Sequence, residues 1–245
     1  MVAPLAVRLD EAAHRGLQDV LRLLDAPRER VRLCAEAFAS IHHAARDAGR
    51  RMRRDDLAAL AGLLHETLRE LPGGVDGAGV VLAEGLLDDA PLFLEWWRRT
   101  PGGGAERLDV SYDPEDPAAF YYPDAEWFAV PMQRGGPWIA GPFVDSGGTN
   151  RHLCTYSVPV HGGDGTFLGI AGADLRVGYV ERAARRALAA LDARAVLVNR
   201  EERVIACNEP GLAAGALLGP LGLRRSATAW DAQLPWGVAV TPRPG

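Results

Sequence analysis

This sequence of 245 residues contains no Lys, so all 27 of its cationic residues are Arg. An Arg preference that runs through the whole chain reflects a GC-rich genome, and we do not interpret it as a sign of an anion-binding site. The formal net charge is -5, which gives no support to a nucleic-acid partner.

Cysteine is also scarce. The three Cys residues, Cys34, Cys154 and Cys207, are far apart and none belongs to a CxxC pair. The spacing argues against a disulfide framework and a structural zinc site, and we expect all three to be small buried hydrophobic residues. No phosphate-binding or metal-binding motif is present, so no cofactor or metal is expected.

Long apolar runs are missing as well. No stretch approaches the roughly 20 apolar residues of a membrane-spanning helix. Residues 1–8 are followed at once by Asp10 and Glu11, where a signal peptide would have its apolar segment. These features predict a soluble, cytoplasmic protein, or an extracytoplasmic domain if the chain is a fragment of a membrane receptor.

Helical periodicity dominates the first third of the chain. The apolar spacing predicts one helix over residues 5–26 and a continuous second helix over residues 28–71. At 1.5 Å per residue the second helix would be about 60 Å long, enough to pack along a sheet and to pair with a second copy of the chain. The basic cluster at residues 50–54 is interpreted as a solvated face of this helix.

Strand patterns follow. Segments rich in strand-forming residues occur at 79–83, 93–98, 138–144, 153–160, 167–174, 195–199, 203–207 and 236–241, with one further helix at 177–191. Short turns between consecutive strands predict antiparallel pairing, and the order of elements predicts an α+β fold. The predicted segments are N-terminal helices at 1–74, a domain at 75–191 and a small partial α/β unit at 192–245; the fold of residues 211–235 is left open.

Several motifs occur in a fixed order between residues 121 and 175. They are Glu126-Trp127-Phe128, Pro142-Phe143-Val144-Asp145, Ser157-Val158-Pro159-Val160, Asp164-Gly165 and the glycine-rich run that ends in Asp174-Leu175. In this order and spacing they resemble the motifs of the Cache family of PAS-like sensor domains, and the resemblance covers residues 28–190.

The resemblance implies a PAS-like antiparallel sheet with a long N-terminal helix. Residues 75–191 would form the ligand-binding domain, and residues 192–245 a truncated second Cache-like subdomain. The implied function is reversible small-molecule sensing for signal transduction, without catalysis. A homodimer through the long helix and an unidentified signalling partner protein are the implied protein partners.

The resemblance also suggests ligand-binding residues. Amino-acid-binding members of the family carry an Arg just before the Trp-aromatic pair, where this chain has Glu126. The family's amine-binding Asp corresponds to Asp174, and Asp145 is the carboxylate of the Pro-aromatic-x-Asp motif. The aromatic residues expected around them are Tyr121, Tyr122, Trp127, Phe128 and Trp138.

This set of residues favours a cationic ligand. Aromatic faces attract cations by roughly 0.5–2 kcal/mol each, and carboxylates add charge-assisted pairing. We therefore predict an amine or quaternary-ammonium ligand, with an amino-acid-like ligand made less plausible by Glu126.

The same residues have structural interpretations. Core or edge packing is the better explanation of Trp96, Trp97 and Trp138, and capping of the turn that contains Gly147-Gly148 also explains Asp145. For Asp174 and Trp127, ligand contact and a purely structural role are equally good interpretations. Tyr121 and Tyr122 are adjacent and cannot both face one pocket if they lie in a helix.

Two other classes of function remain open. His152 and Cys154 alternate on one strand and suggest a hydrolase with a Cys–His pair, although no acid partner or oxyanion hole accompanies them. The long amphipathic helix suggests a dimerisation scaffold that binds no ligand.

Overall fold

The computed structural model describes residues 5–113, 115–117, 119–145, 150–209, 212, 214–219 and 227–243. They form two compact units. The first, called here the central unit, is the continuous segment Ala26–Arg176. The second, the terminal unit, combines Met1–Asp25 with Val177–Gly245. The sequence analysis places the domain boundaries after residues 74 and 191, whereas the units of the structure meet after residues 25 and 176.

The chain begins with two helical segments joined by a short 3-10 turn. Helix α1 spans Leu5–Leu21, the turn spans Arg22–Leu24, and helix α2 spans Asp25–Asp47. Helix α2 forms because its apolar residues recur at helical spacing. Its buried side chains include Val31, Cys34, Phe38 and Ala45.

The predicted continuous helix over residues 28–71 is wrong. Gly49 adopts a left-handed conformation with φ of 70°, and the N–H of Gly49 and of Arg50 donate to the carbonyls of Arg46 and Ala45. This pattern is the Schellman motif that ends helices at a glycine. A 3-10 helix follows at Arg54–Leu60, and helix α3 spans Ala61–Glu70.

The basic cluster is therefore not a helix face. Residues 50–53 follow the end of α2, and residue 54 opens the 3-10 helix. Arg50 forms two hydrogen bonds to the carboxylate of Asp56, each 2.7 Å long, and Arg54 pairs with Asp89 at 3.3 Å. The cluster holds the loop after α2 in place through these acidic partners.

The central unit contains a six-stranded antiparallel sheet and one further helix. The strands are β1 Val75–Leu82, β2 Leu94–Arg99, β3 Ala105–Arg107, β4 Trp138–Val144, β5 His152–His161 and β6 Phe167–Arg176. Their order is β3-β2-β1-β6-β5-β4, so β1 and β6, the first and last strands of this unit, pair in the middle of the sheet. Helix α4, Glu126–Arg134, packs against β4, β5 and β6. The predicted α+β fold with an antiparallel sheet is confirmed.

The terminal unit has a smaller sheet. Helix α5 spans Val177–Ala189, and the strands are β7 Arg194–Asn199, β8 Val204–Cys207, β9 Ala227–Trp230 and β10 Trp236–Thr241 in the order β8-β7-β10-β9. Strand β9 lies in the region 211–235, whose fold the sequence left open; residues 211, 213 and 220–226 of that region are outside the described residues. Helix α1 packs against β9, β10 and α5. Gly16 allows helix α1 to lie close to the side chain of Leu191, since a Cβ at residue 16 would lie only 2.9 Å from that side chain.

The three Cys residues are buried and form no disulfide, as predicted. Among the described helices, none combines the length and the apolar character needed to cross a membrane.

Candidate ligand-binding site

A small cavity lies between the central sheet and helix α4. It is lined by Val81, Leu94, Trp96, Leu108, Phe120, Trp127, Phe143, Asp145, Thr155 and Asp174. Its volume is about 30 Å³, which at roughly 10–15 Å³ for each water-sized group holds about two such groups. We call it the Asp174 cavity.

Asp174 is the buried charge of this cavity. It lies on β6 opposite Gly77 of β1 and Thr155 of β5, and only 7% of it is exposed. The hydroxyl of Thr155 donates a 2.6 Å hydrogen bond to its carboxylate. The pKa of Asp174 is raised to about 7, mainly by burial and in smaller part by the negative charges of Asp145 and Asp76, while the hydrogen bonds from Thr155 and Trp96 oppose the shift.

No described Arg or His residue forms an ion pair with Asp174. The second carboxylate of the cavity, Asp145, directly follows β4. Its backbone is fixed by two hydrogen bonds: its N–H donates to Arg151 at 2.9 Å, and its carbonyl accepts from Asn150 at 2.7 Å. Gly147 and Gly148, which the turn-capping interpretation of Asp145 requires, lie outside the described residues. The described lining thus has two carboxylates and no cationic side chain.

Three glycines make room for the indole of Trp96, which extends across the sheet towards Asp174. A Cβ on Gly77 would lie 2.6 Å from the indole Nε1, and a Cβ on Gly79 would lie 2.9 Å from a ring carbon. On β6, a Cβ on Gly172 would lie 3.3 Å from the far edge of the ring. These glycines therefore permit the flat contact that brings the indole N–H to the carboxylate. Trp97, the next residue, faces the other side and contacts His65 with ring centroids 4.2 Å apart.

Trp127 forms the wall contributed by α4. Its backbone carbonyl accepts a 2.7 Å hydrogen bond from the buried hydroxyl of Ser157 on β5. Its ring stacks on Phe120, with centroids 6.4 Å apart and an interplanar angle of 15°. Strand and helix thus fix the position of this ring beside the cavity.

The structure brings together three of the eight predicted site residues, namely Trp127, Asp145 and Asp174. Two others belong to the neighbouring core. Tyr122 is fully buried, and its hydroxyl donates to the carbonyl of Leu82 at 2.8 Å and accepts from the N–H of Phe93. Phe128 is buried in the same hydrophobic cluster.

The remaining three predicted residues lie away from the cavity lining. Tyr121 is 61% exposed. Trp138 is buried, and its indole N–H donates to the carboxylate of Glu126 at 2.9 Å while Arg134 covers its ring. Glu126 therefore contacts Trp138 and is not part of the cavity lining.

Sequence reasoning missed several lining residues. Trp96 was assigned to core or edge packing, and Thr155, Leu94 and Leu108 were not considered. Leu94 and Trp96 alternate on β2 as residues of one sheet face do, which is a usable signal. The pairing of Thr155 with Asp174 depends on the register between β5 and β6, which includes a shift between Val160 and His161 that the turn motif alone does not give.

A second buried carboxylate, Asp76, organises the end of the sheet beside the cavity. It is the extra residue of a β-bulge, because Val75 pairs with Leu175 while Gly77 pairs with Asp174. Asp76 is 1% exposed and forms ion pairs with Arg151 and with Arg176. Bulges re-aim side chains and often occur near functional sites.

The Cys–His alternative finds no support in the geometry. Cys154 is fully buried, whereas His152 is exposed at the start of β5. Burial raises the pKa of the Cys154 thiol to about 12, with the negative charges of Asp174 and Glu126 adding to the shift. A thiolate nucleophile is therefore not available near neutral pH.

Comparison with known proteins gives matches among solved structures. No family model matches the chain, and no curated protein matches it in sequence. Methyl-accepting chemotaxis protein X superposes with a TM-score of 0.62 at 15% identity, over 97% of this chain and 98% of that one. The extracellular domain of soHK1S-Z6, described as a histidine kinase, has a TM-score of 0.57 at 18% identity, over 97% and 93%.

A third match is the ligand-binding domain of the Pseudomonas aeruginosa PAO1 amino-acid chemoreceptor PctC, in complex with GABA. Its TM-score is 0.56 at 19% identity, and the match covers 96% of this chain and 99% of that one. Near-complete coverage in both directions shows that both units, and not the central sheet alone, have counterparts in these structures. The chain thus shares the fold of these domains, which agrees with the Cache-type fold that its motifs predicted.

Proposed function

We propose that the central unit binds a small protonated amine in the Asp174 cavity and that this reversible binding makes the protein a sensor. The observation that carries the proposal is the buried carboxylate of Asp174, which lines the cavity without an ion-pair partner among the described residues. A buried charge without a counter-ion is unfavourable. An ammonium group in the cavity supplies the missing counter-ion and the N–H donors that a carboxylate accepts.

The charge of the lining argues against anionic and zwitterionic ligands. Asp145 adds a second carboxylate, and the described lining offers no Arg or His to hold a ligand carboxylate. Glu126, which occupies the position of the family's ligand-binding Arg, bonds to Trp138 instead. An α-amino acid would therefore place its own carboxylate near two others.

The size of the cavity separates primary amines from quaternary ammonium ions. Room for about two water-sized groups fits a short primary amine, whereas a quaternary nitrogen carries four carbon substituents and no N–H. The rings of Trp96 and Trp127 border the same space and add cation–π attraction to the charge pairing.

The similar structures support a sensing role and a location outside the cytoplasm. The domains that superpose on this chain come from a chemotaxis protein, a chemoreceptor and the extracellular part of a histidine kinase. By this analogy, the extracytoplasmic alternative is preferred over the cytoplasmic location that the sequence alone suggested. Transfer of the signal to a partner protein and dimerisation through the helices belong to the same proposal.

The test is a calorimetric and thermal-shift panel of short amines, amino acids and carboxylates. A sensor of amines gains stability with amine concentration by mass action and leaves the amine unchanged. Asp174→Asn abolishes the response, whereas Asp124→Asn, at an exposed acid outside the cavity, keeps it.

Each competing class gives a different result. A scaffold ignores the whole panel, and an enzyme consumes the compound that stabilises it. Equal responses of the wild-type protein and the Asp174→Asn variant would remove the basis of the proposal.

A further inference from the structure

The Asp174 cavity shares a wall with a second, larger cavity of the central unit. The second cavity has a volume of about 330 Å³, compared with about 30 Å³ for the first. Leu94 and Leu108 line both of them. These two side chains therefore separate a space that fits an ammonium group from a space that fits an extended chain.

Three of the four charged residues that line the second cavity are paired, and the fourth, Asp109, is exposed. Arg54 forms an ion pair with Asp89 at 3.3 Å, and Arg107 pairs with the buried Glu95 at 3.0 Å. Between them lie apolar residues such as Leu92 and Val110. An apolar tail entering from the first cavity would thus meet an apolar surface with a polar rim.

The two residues of the shared wall, Leu94 and Leu108, differ in how deeply they are buried. Leu94 lies on β2 and is 3% exposed, and its N–H donates to the hydroxyl of Tyr112 at 2.9 Å. Leu108 follows β3 and is only half buried. Its backbone is fixed by a 2.7 Å hydrogen bond from its N–H to the carbonyl of Trp96, so truncating its side chain leaves this anchor in place.

We infer that Leu108 sets the length of the ligand, which restricts the protein to primary amines with short apolar tails. The inference rests on the proposed function, because it concerns the tail of an amine whose ammonium group lies at Asp174. Removing the side chain of Leu108 joins the two cavities, and the tail then extends into the second one.

The experiment measures the affinity of straight-chain primary amines from methylamine to hexylamine for three variants. For the wild-type protein we expect affinity to fall by about tenfold for each methylene beyond the length that fits, a typical cost of a mismatch in a closed pocket. Leu108→Ala shifts this limit to longer amines and leaves methylamine affinity within about threefold. Leu108→Met, of similar volume, keeps the wild-type limit.

Leu92→Ala is the matched control, because Leu92 lines the second cavity but not the shared wall. It should leave the length limit unchanged. An unchanged limit in Leu108→Ala, with methylamine still bound, overturns the inference while the proposed function stands. Extension of the limit by Leu92→Ala as much as by Leu108→Ala also overturns it. Failure of every amine to bind the wild-type protein overturns both.

Discussion

The hydroxyl of Thr155 and the carboxylate of Asp174 face each other across β5 and β6 and are joined by a 2.6 Å hydrogen bond. This bond favours the ionised carboxylate, yet burial outweighs it and the pKa of Asp174 rises to about 7. Thr155 therefore orients the carboxylate without compensating its charge. The carboxylate is therefore oriented to accept hydrogen bonds from a cation that would compensate its charge.

The first prediction concerns the stability of the unliganded protein. The pKa of Asp174 is about 7 in the folded state against an ordinary 3.8, so between these values the folded protein holds a proton that the unfolded chain has released. The contribution of Asp174 to the free energy of unfolding therefore decreases as pH rises from about 4 to about 7 and is constant above that range. Urea unfolding at several pH values measures it.

Asp174→Asn is the control for this prediction. Asparagine keeps the shape and cannot ionise, so the variant should gain stability relative to the wild type as pH rises through the same interval. A constant difference between the two proteins from about pH 4 to about pH 8 would contradict the assignment of the shift.

The second prediction concerns ligand binding. A protonated amine pairs with the ionised form of Asp174, so its affinity should increase with pH up to about 7 and then level off. Below that pH, binding releases a proton from Asp174. Calorimetry in two buffers of different ionisation enthalpy detects the proton, and a pH-independent affinity without proton release would refute the pairing.

The third prediction concerns the packing of Trp96. Gly77→Ala places a Cβ 2.6 Å from the indole Nε1, which forces the ring away from Asp174. We expect a loss of about 1–3 kcal/mol in the free energy of unfolding, together with weaker amine binding. Gly73→Ala is the matched control, because a Cβ there meets nothing within 4 Å; similar losses in both variants would argue against the contact.

The fourth prediction concerns the bulge residue Asp76. Asp76→Asn weakens the ion pairs to Arg151 and Arg176. Because charged hydrogen bonds typically contribute about 1.5–3 kcal/mol and both Arg side chains are partly exposed, we expect a loss of about 1–2 kcal/mol in the free energy of unfolding. Denaturant titration measures it, with Asp124→Asn as a neutral comparison. A loss no greater than that of the comparison variant would show that the cluster contributes no stability.

Part of the fold follows directly from the sequence. Strands β4 and β10 begin and end at the predicted residues; Pro137 directly precedes β4, and Pro235 and Pro242 flank β10. The sequence does not predict the break after α2. Glycine within a helical pattern has only a moderate cost, and the hydrogen bonds that end the helix at Gly49 appear only in the structure.

The site was predictable where motif and charge coincide. Asp145 and Asp174 follow from the motifs, and both line the cavity. Tyr122 was expected to line the cavity but lies in the neighbouring core, because an aromatic residue near a motif fits a core and a pocket equally well. The proposed role of Leu108 in limiting ligand length depends on two cavities that both include this residue in their lining. No local sequence pattern predicts that two cavities share a residue.

The division of the chain into units has a consequence for its biosynthesis. The central unit, Ala26–Arg176, is one uninterrupted stretch, whereas the terminal unit needs Met1–Asp25 together with Val177–Gly245. Since domains fold as units while the chain leaves the ribosome, the cavity-bearing part can complete its sheet first. Helix α1 is synthesised before the strands β9 and β10, and it can pack only after both of them have been made.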